Sequence, residues 1–252
     1  MMLGVIQVRM GSTRLPGKAL KPVLSKPLLW LLYERVKAAT SLERVVIATG
    51  DGIQNQPIVD FAEKYNIEYF AGSEQDLVSR FYQTAQKFGA TAVVRVTGDC
   101  PLVDPDVVNK VVACYKESSG NCDYVTNALK PTYPDGLDLD IFPLKTLERM
   151  NREMHDSFWR EWLTSYLRER PQEYRIANVE HDTDLSALRW TVDHEEDLDF
   201  VEAVFSRLYP KKKIFLMKDI LELLEKEPLL AEINRKYTRD AAYYAAKKES
   251  KK

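Results

Sequence analysis

The chain has 252 residues, 45% of them hydrophobic, which suits one large or two modest domains with a substantial core and argues against global disorder. Lys and Arg number 36 against 38 for Asp and Glu, so the net charge is -2; no chain-wide basic field exists for nucleic acid, and any anion site is local. Cys100, Cys114 and Cys122 fit neither a disulfide framework nor a zinc spacing, Met1 to Val8 is too short for a signal peptide, and no apolar run approaches a membrane span; the expectation is a soluble, cytoplasmic protein without membrane or nucleic-acid partners.

Through the first half, apolar runs alternate with amphipathic stretches. "LGVIQV" is a strand. "PLLWLLYERVKAA" is helical by spacing, with Leu28, Leu31, Leu32 and Val36 on one face. "RVVIAT" is a second strand, and "QPIVDFAEKY" a helix with Ile58, Phe61, Ala62 and Tyr65 at helical intervals. The short strand "IEYF" precedes "DLVSRFYQTAQKFG", a helix opened by Asp76 and closed by Gly89. "AVVRVTG" is a strand, and Pro105 begins the helix "PDVVNKVVACYKES". This alternation predicts an α/β fold: a mainly parallel, Rossmann-like sheet with helices on both faces, binding ligands beyond the C-terminal strand ends.

The middle reads differently. "CDYVTNALKPTYPDGLDLDIF" has turn chemistry and alternation without helical period, which predicts strands that leave the parallel pattern in a small mixed β subdomain. The expected organisation is a single domain over 1–252, with an inserted subdomain at 123–180 for acceptor binding or dimerisation and a charged helical tail at 234–252. Helices are predicted at "LKTLERMN", "DSFWREWLTSYLRE" and "EEDLDFVEAVFSRLY", with "RWTVD" as a core strand before the last. The tail is helix-prone but charged, and expected to fray.

The loop after the first strand places Arg9, Gly11, Ser12, Thr13, Arg14, Gly17 and Lys18 at the ligand-binding end of the sheet. It is not a P-loop: five residues separate Gly11 and Gly17, and Ala19 stands where Ser or Thr is required. G-x-G-x-x-G is absent too. The ordinary alternative is a solvated turn. Glycines that allow close backbone approach, with hydroxyls and amides between three cations, also suit a polyphosphate. Asp99 and Asp193 each follow an apolar strand, so both emerge at the same edge. Two such carboxylates suit Mg2+, completed by water and phosphate oxygens. Helix capping is the alternative, serious for Asp193 before "HEEDLDFV" and weaker for Asp99, because Asp104 is the better cap.

Four blocks carry a resemblance: "RMGSTRLPGK", "RVTGDCPLVDPDVV", "DGLDLDIF" and "RWTVDHEEDLDFV", in this order between Met1 and Val204. Together the chain resembles the sugar-acid cytidylyltransferases, including their spore-coat polysaccharide branch. The resemblance implies transfer of CMP from CTP to a sugar hydroxyl, with Mg2+ on Asp99 and Asp193. It implies nucleotide contacts from Val8, Arg9, Gly11, Ser12, Arg14, Lys18, Ser73, Arg80 and Asp99, with Lys18, Arg14, Asp99 and Asp193 as the catalytic set. Ser73 has an alternative as a turn or cap residue, and Arg80 as an exposed helix residue. For the acceptor, Asp135 and Gly136 make a turn, and Asp138 and Asp140 share one face of a strand where they accept from sugar hydroxyls or simply face solvent. Arg160, Glu161 and Thr164 match a family block in which Trp162 replaces a histidine, which points to a different or slower acceptor. Dimerisation, common in the families resembled, would use the middle strands. Two other functions compete. A glycosyltransferase would keep a D-x-D metal motif where "GDCPL" stands, which holds a single aspartate, and the D-x-D at Asp138 to Asp140 lies in the second subdomain. A non-catalytic nucleotide binder has no reason to keep Lys18, Asp99 and Asp193 together.

Overall fold

The computed structural model describes residues 1–118 and 120–250. Its elements in chain order are β1 (Met2–Gln7), the hairpin β2 (Pro22–Val23) and β3 (Lys26–Pro27), α1 (Leu28–Lys37), β4 (Arg44–Gly50), α2 (Gln56–Lys64), β5 (Tyr69–Gly72) and α3 (Leu77–Phe88). There follow β6 (Ala92–Thr97), α4 (Pro105–Glu117), β7 (Tyr124–Thr126), β8 (Asp140–Pro143), α5 (Leu144–Glu153), α6 (Ser157–Glu161), α7 (Leu163–Arg168) and β9 (Ile176–Asn178). The chain ends in α8 (Glu195–Leu208), α9 (Met217–Lys226) and α10 (Ala241–Glu249).

Seven strands form one sheet in the order β5-β4-β1-β6-β8-β7-β9. All neighbours are parallel except at β8, which runs antiparallel to both β6 and β7. Successive side chains point to opposite faces, so apolar residues at every position fill two cores. Leu3 and Val5 of β1 join Val78, Phe81, Leu147 and Leu163 on one face. Met2 and Ile6 join Leu32, Val108, Val201 and Val204 on the other. Caps fall where the residue chemistry put them: Asp76 accepts from the Ser79 amide, and Gly89 ends α3 at φ 67°. Among the described residues no helix is long and apolar enough to cross a membrane.

This order positions the site. From β1 the chain turns outward to β4 and β5, then returns to β6 on the other side, so the loops after β1 and β6 emerge side by side at the topological switch point. The Gly98 amide donates to the Gln7 carbonyl at 2.7 Å. A Cβ at Gly98 would lie 2.7 Å from Val8 Cβ, so only glycine lets the loops meet.

Three expectations need revision. The middle strands leave the parallel pattern, but as the continuation of the central sheet: β8 pairs with β6 from Ala92↔Pro143 to Arg95↔Asp140, because its apolar residues cover the open side of β6. "RWTVD" is buried but is no sheet strand. It makes a single bridge, Asp135↔Arg189, and lends its amides to loops, with Trp190 N–H to Asp135 at 2.6 Å and Val192 N–H to Asp99 at 2.8 Å. The helix expected over "DSFWREWLTSYLRE" breaks in two at Trp162, whose φ of -101° and ψ of 45° are not helical.

Candidate active site

Gly17 adopts φ 69°, a left-handed conformation that turns the opening loop back under the sheet edge. Leu15 and Ala19 are buried, which anchors the loop and fixes the directions of Arg14 and Lys18. Lys18 Nζ donates to Asp99 Oδ2 at 2.9 Å, Asp193 Oδ1 at 2.9 Å and the Val192 carbonyl at 2.7 Å. All three ammonium donors are thereby used. Arg14 Nη2 lies 2.7 Å from Asp193 Oδ1. Residues 81 and 175 positions away in sequence thus meet on one ammonium.

The frame around them is main chain. The Asp99 carbonyl accepts from the Val192 amide at 2.8 Å and from Thr191 Oγ1 at 3.2 Å. Asp193 does not cap α8. That role falls to Asp197, whose carboxylate accepts from the amides of Asp193 at 2.9 Å and His194 at 3.0 Å. Asp197, fully buried, is held in turn by Arg189, which also bonds Asp135 at 2.9 Å and Asp193 at 3.3 Å. Asp104 caps α4, accepting from the Asp106 amide at 2.7 Å, so Asp99 is free as well.

Burial opposes charge on all three central groups, and their mutual attraction overcomes it. Burial pulls the Lys18 pKa down, but Asp99 and Asp193 raise it on balance. Burial pushes both carboxyls up, but Lys18 brings Asp99 below the ordinary range, and Lys18 with Arg14 brings Asp193 well below it. All three are charged near neutrality.

Asp99 and Asp193 open onto a cavity of about 390 Å³. On the β1 and β5 side it is lined by Gln7, Arg9, Glu74, Gln75 and Arg80; on the β8 side by Asp135, Asp138, Trp162, Thr164 and Arg168. Arg80 is not an exposed helix residue: it is buried, and that burial lowers its pKa to about 10. Asp135 is pushed up to about 7 by burial and by neighbouring Asp138, against the pull of Arg239 and Arg189. Cys100 is a buried thiol beside Thr97, its pKa driven well up by burial.

Several expected contacts fall elsewhere. Asp140 is fully buried and does not line the cavity. It is locked to Arg95 Nη1 at 2.6 Å, Thr126 Oγ1 at 3.0 Å, Arg168 Nη2 at 3.5 Å and the Tyr124 hydroxyl, because its strand is interior to the sheet. It reaches a ligand only through Arg95 and Arg168, which do line the cavity. Arg160 likewise does not line it; its guanidinium clamps α6 to Asp76, Asn151 and the Met154 carbonyl. Glu161 does line it, 3.5 Å from Arg9. The Val8 amide is spent on the Ala48 carbonyl at 3.1 Å. Gly11 and Ser12 shape the loop without lining the cavity; Ser12 Oγ accepts from the Leu15 amide at 3.3 Å. Ser73 serves the turn into α3, its Oγ accepting from the Asp76 amide at 3.1 Å.

The tail supplies a wall that sequence reasoning missed. Lys236, Tyr237, Thr238, Asp240, Ala241, Ala242 and Tyr243 all line the cavity. Asn234 anchors the segment through the Arg189 carbonyl and Asp197, Tyr237 stacks on His194 with centroids 3.7 Å apart, and Arg239 pairs with Asp138 at 2.5 Å. Beyond it, Tyr243 and Lys247 both bond Glu169. The alternation of charged and aromatic residues in "NRKYTRDAAYYAAKK" was the available signal.

Among the described residues no group of three or more His, Cys, Asp and Glu is placed to hold a metal ion. Asp99 and Asp193 nevertheless aim one oxygen each at a single cationic point, beside a main-chain carbonyl. That hard-oxygen donor set fits a Mg2+ ion that keeps water and phosphate ligands.

A protein-family model described as "Cytidylyltransferase" matches residues 3–248. The chain is 28% identical over 233 residues to the spore coat polysaccharide biosynthesis protein SpsF of Bacillus subtilis, covering 90% of this chain and 95% of that protein. It is similar to a solved cytidylyltransferase from Leptospira borgpetersenii, with TM-score 0.87 and 30% identity over 94% of this chain and 98% of that one. A solved CMP:2-keto-3-deoxy-manno-octonic acid synthetase complexed with CTP shares the fold, with TM-score 0.64 and 18% identity over 82% of this chain and 98% of that one. With the family pattern spanning nearly its whole length, this chain belongs to the cytidylyltransferases.

Proposed function

We propose that this protein activates a sugar, with an acidic sugar as the favoured acceptor class, by transferring CMP from CTP with Mg2+, in the service of polysaccharide biosynthesis. The observation that carries the reading is that Lys18, itself set behind the lining, bonds both Asp99 and Asp193, the two carboxylates that open onto the cavity. The polysaccharide setting rests on what SpsF is called, and the acidic acceptor class on what the octonic acid synthetase is called.

In the proposed reaction a sugar hydroxyl oxygen attacks the α-phosphorus of CTP. A new P–O bond forms, the α–β bridging bond breaks, and pyrophosphate leaves with the electron pair while the hydroxyl proton passes to solvent. The protein's part is positioning and electrostatics. Lys18 and Arg14 neutralise the β- and γ-phosphates, with Arg9 beside them. Arg80, Gln7 and Gln75 border the nucleotide side. Asp135, Asp138, Arg168 and the tail border the acceptor side. Asp99 and Asp193 would hold Mg2+, whose chemistry when bound is to polarise the α-phosphate and lower the pKa of the attacking hydroxyl. A reducing, cytoplasmic setting fits three free thiols. Dimer formation stays within this proposal on the resemblance alone. The glycosyltransferase alternative is disfavoured because Asp140, half of the D-x-D at Asp138 to Asp140, is buried among arginines.

The test is pyrophosphate release from CTP and Mg2+ across a panel of acidic and neutral sugars. Asp99→Asn should abolish it with the fold intact. Full turnover by that variant would sink the assignment.

A further inference from the structure

We propose that Lys18 is the resident cation of the divalent-metal site: in the nucleotide-free protein its ammonium fills the point on which Asp99 and Asp193 converge, and a metal ion enters only as Lys18 leaves it. The inference rests on the reading of Asp99 and Asp193 as metal ligands.

The geometry is that of a filled site. Three oxygens surround Lys18 Nζ at 2.7–2.9 Å, two from carboxylates and one from the Val192 carbonyl. A magnesium ion would draw the same carboxylate oxygens to about 2.0–2.1 Å, so it and the ammonium cannot share them. The carboxylates need little movement. Asp99 and Val192 are joined by a main-chain hydrogen bond of 2.8 Å, and the Asp193 amide is held by Asp197 at 2.9 Å. Lys18 is the movable part, a long side chain on a short 3-10 turn after left-handed Gly17. With Lys18 gone, the half-buried Asp99 loses its cation while Asp193 keeps Arg14 and Arg189; leaving Asp99 uncompensated is unfavourable, and Lys18 prevents this whenever the metal is absent.

Lys18 therefore changes partners once per cycle. The incoming triphosphate offers it new anionic oxygens, and the metal travelling with that triphosphate takes the oxygens it vacates. Metal and nucleotide should bind together, with the free protein discriminating against metal alone. If Lys18 is out of the site no more than about a tenth of the time, apparent metal affinity without nucleotide falls roughly tenfold or more.

The experiment measures Mn2+ binding to the nucleotide-free full-length protein by electron paramagnetic resonance. Lys18→Met should bind Mn2+ roughly tenfold tighter than wild type or better, and adding Asp99→Asn to it should remove the gain. Lys18→Gln should show the same direction if the Met variant fails to fold. A readout on the wild type needs no variant: an amine-acylating reagent, followed by peptide mass spectrometry, should label Lys18 faster in saturating Mn2+ than in its absence. Equal Mn2+ affinity in wild type and Lys18 variants, or unchanged labelling, overturns the inference while the cytidylyltransferase reading stands. Undiminished pyrophosphate release in excess chelator overturns the metal reading, and the inference with it.

Discussion

Replacing Asp140 by Asn separates two roles that the sequence allowed. A residue that grips sugar hydroxyls would cost turnover and little else. A buried counter-charge would cost stability, and turnover only through its arginines. Asp140 has zero exposure and faces Arg95 at 2.6 Å and Arg168 at 3.5 Å. Removing one partner from a buried ion pair typically costs about 3–5 kcal/mol. Arg95 and Arg168 keep 15% and 18% of their side-chain surface exposed, so water softens the loss, and the expected cost is about 3 kcal/mol. For a chain of this size that corresponds to a fall in Tm of about 6–12 °C. The pH dependence gives a second arm. Burial pushes the Asp140 carboxyl up, but Arg168 and Arg95 bring it below the ordinary value. A depressed carboxylate stabilises the fold above its unfolded pKa of about 3.9 and loses that contribution as pH falls through the folded value. The deficit of Asp140→Asn should be full at pH 7 and shrink below about pH 4. Urea unfolding at several pH values measures both. A variant as stable as wild type at pH 7, yet inactive, would refute the buried-counter-charge account.

CTP should raise the Tm more than UTP, GTP or ATP, by the equivalent of about 2.7 kcal/mol at a hundredfold excess over Kd; equal shifts from all four would remove the case for cytosine. Gly136 has φ 108°, and a Cβ there would lie 2.6 Å from Thr191 N and from the Trp190 carbonyl carbon. Gly136→Ala should therefore cost about 1–3 kcal/mol and displace the segment bearing Asp193, and unchanged urea stability would contradict this. Tyr237→Ala removes the stack on His194 and the bond to Glu196. It should raise the acceptor KM by a few-fold, in line with about 0.5–1.5 kcal/mol for an aromatic pair, while leaving the CTP KM alone; a matching change in both would argue against a wall on the acceptor side only.

Much of the fold was legible because its signals are local. Helical spacing marked α1 to α4, Asp76 and Gly89 marked the ends of α3, and alternation with apolar runs marked a parallel sheet. The opening loop was legible for the same reason: cations after a buried strand can only emerge at the strand's ligand-binding end. What stayed hidden depends on partners far away. Whether Asp193 caps α8 or faces the cavity is decided by Asp197, four positions on, which takes the capping amides. Asp138 and Asp140 both read as the polar face of a strand, but β8 begins only at Asp140, so Asp138 lies in the loop ahead of it, and Arg95 and Arg168 make Asp140 interior structure. Arg160 matched a family block, yet Asp76, 84 residues earlier, claims it. The tail looked like a solvated charged helix because its partners, Asp138, Glu169 and Glu196, are scattered through the preceding chain.

That residues 236–243 wall the cavity has a consequence for limited proteolysis. A cut ahead of Asn234 would strip away the Tyr237–His194 stack and the Arg239–Asp138 pair in one stroke, leaving Asp99 and Asp193 facing a trough open along one flank.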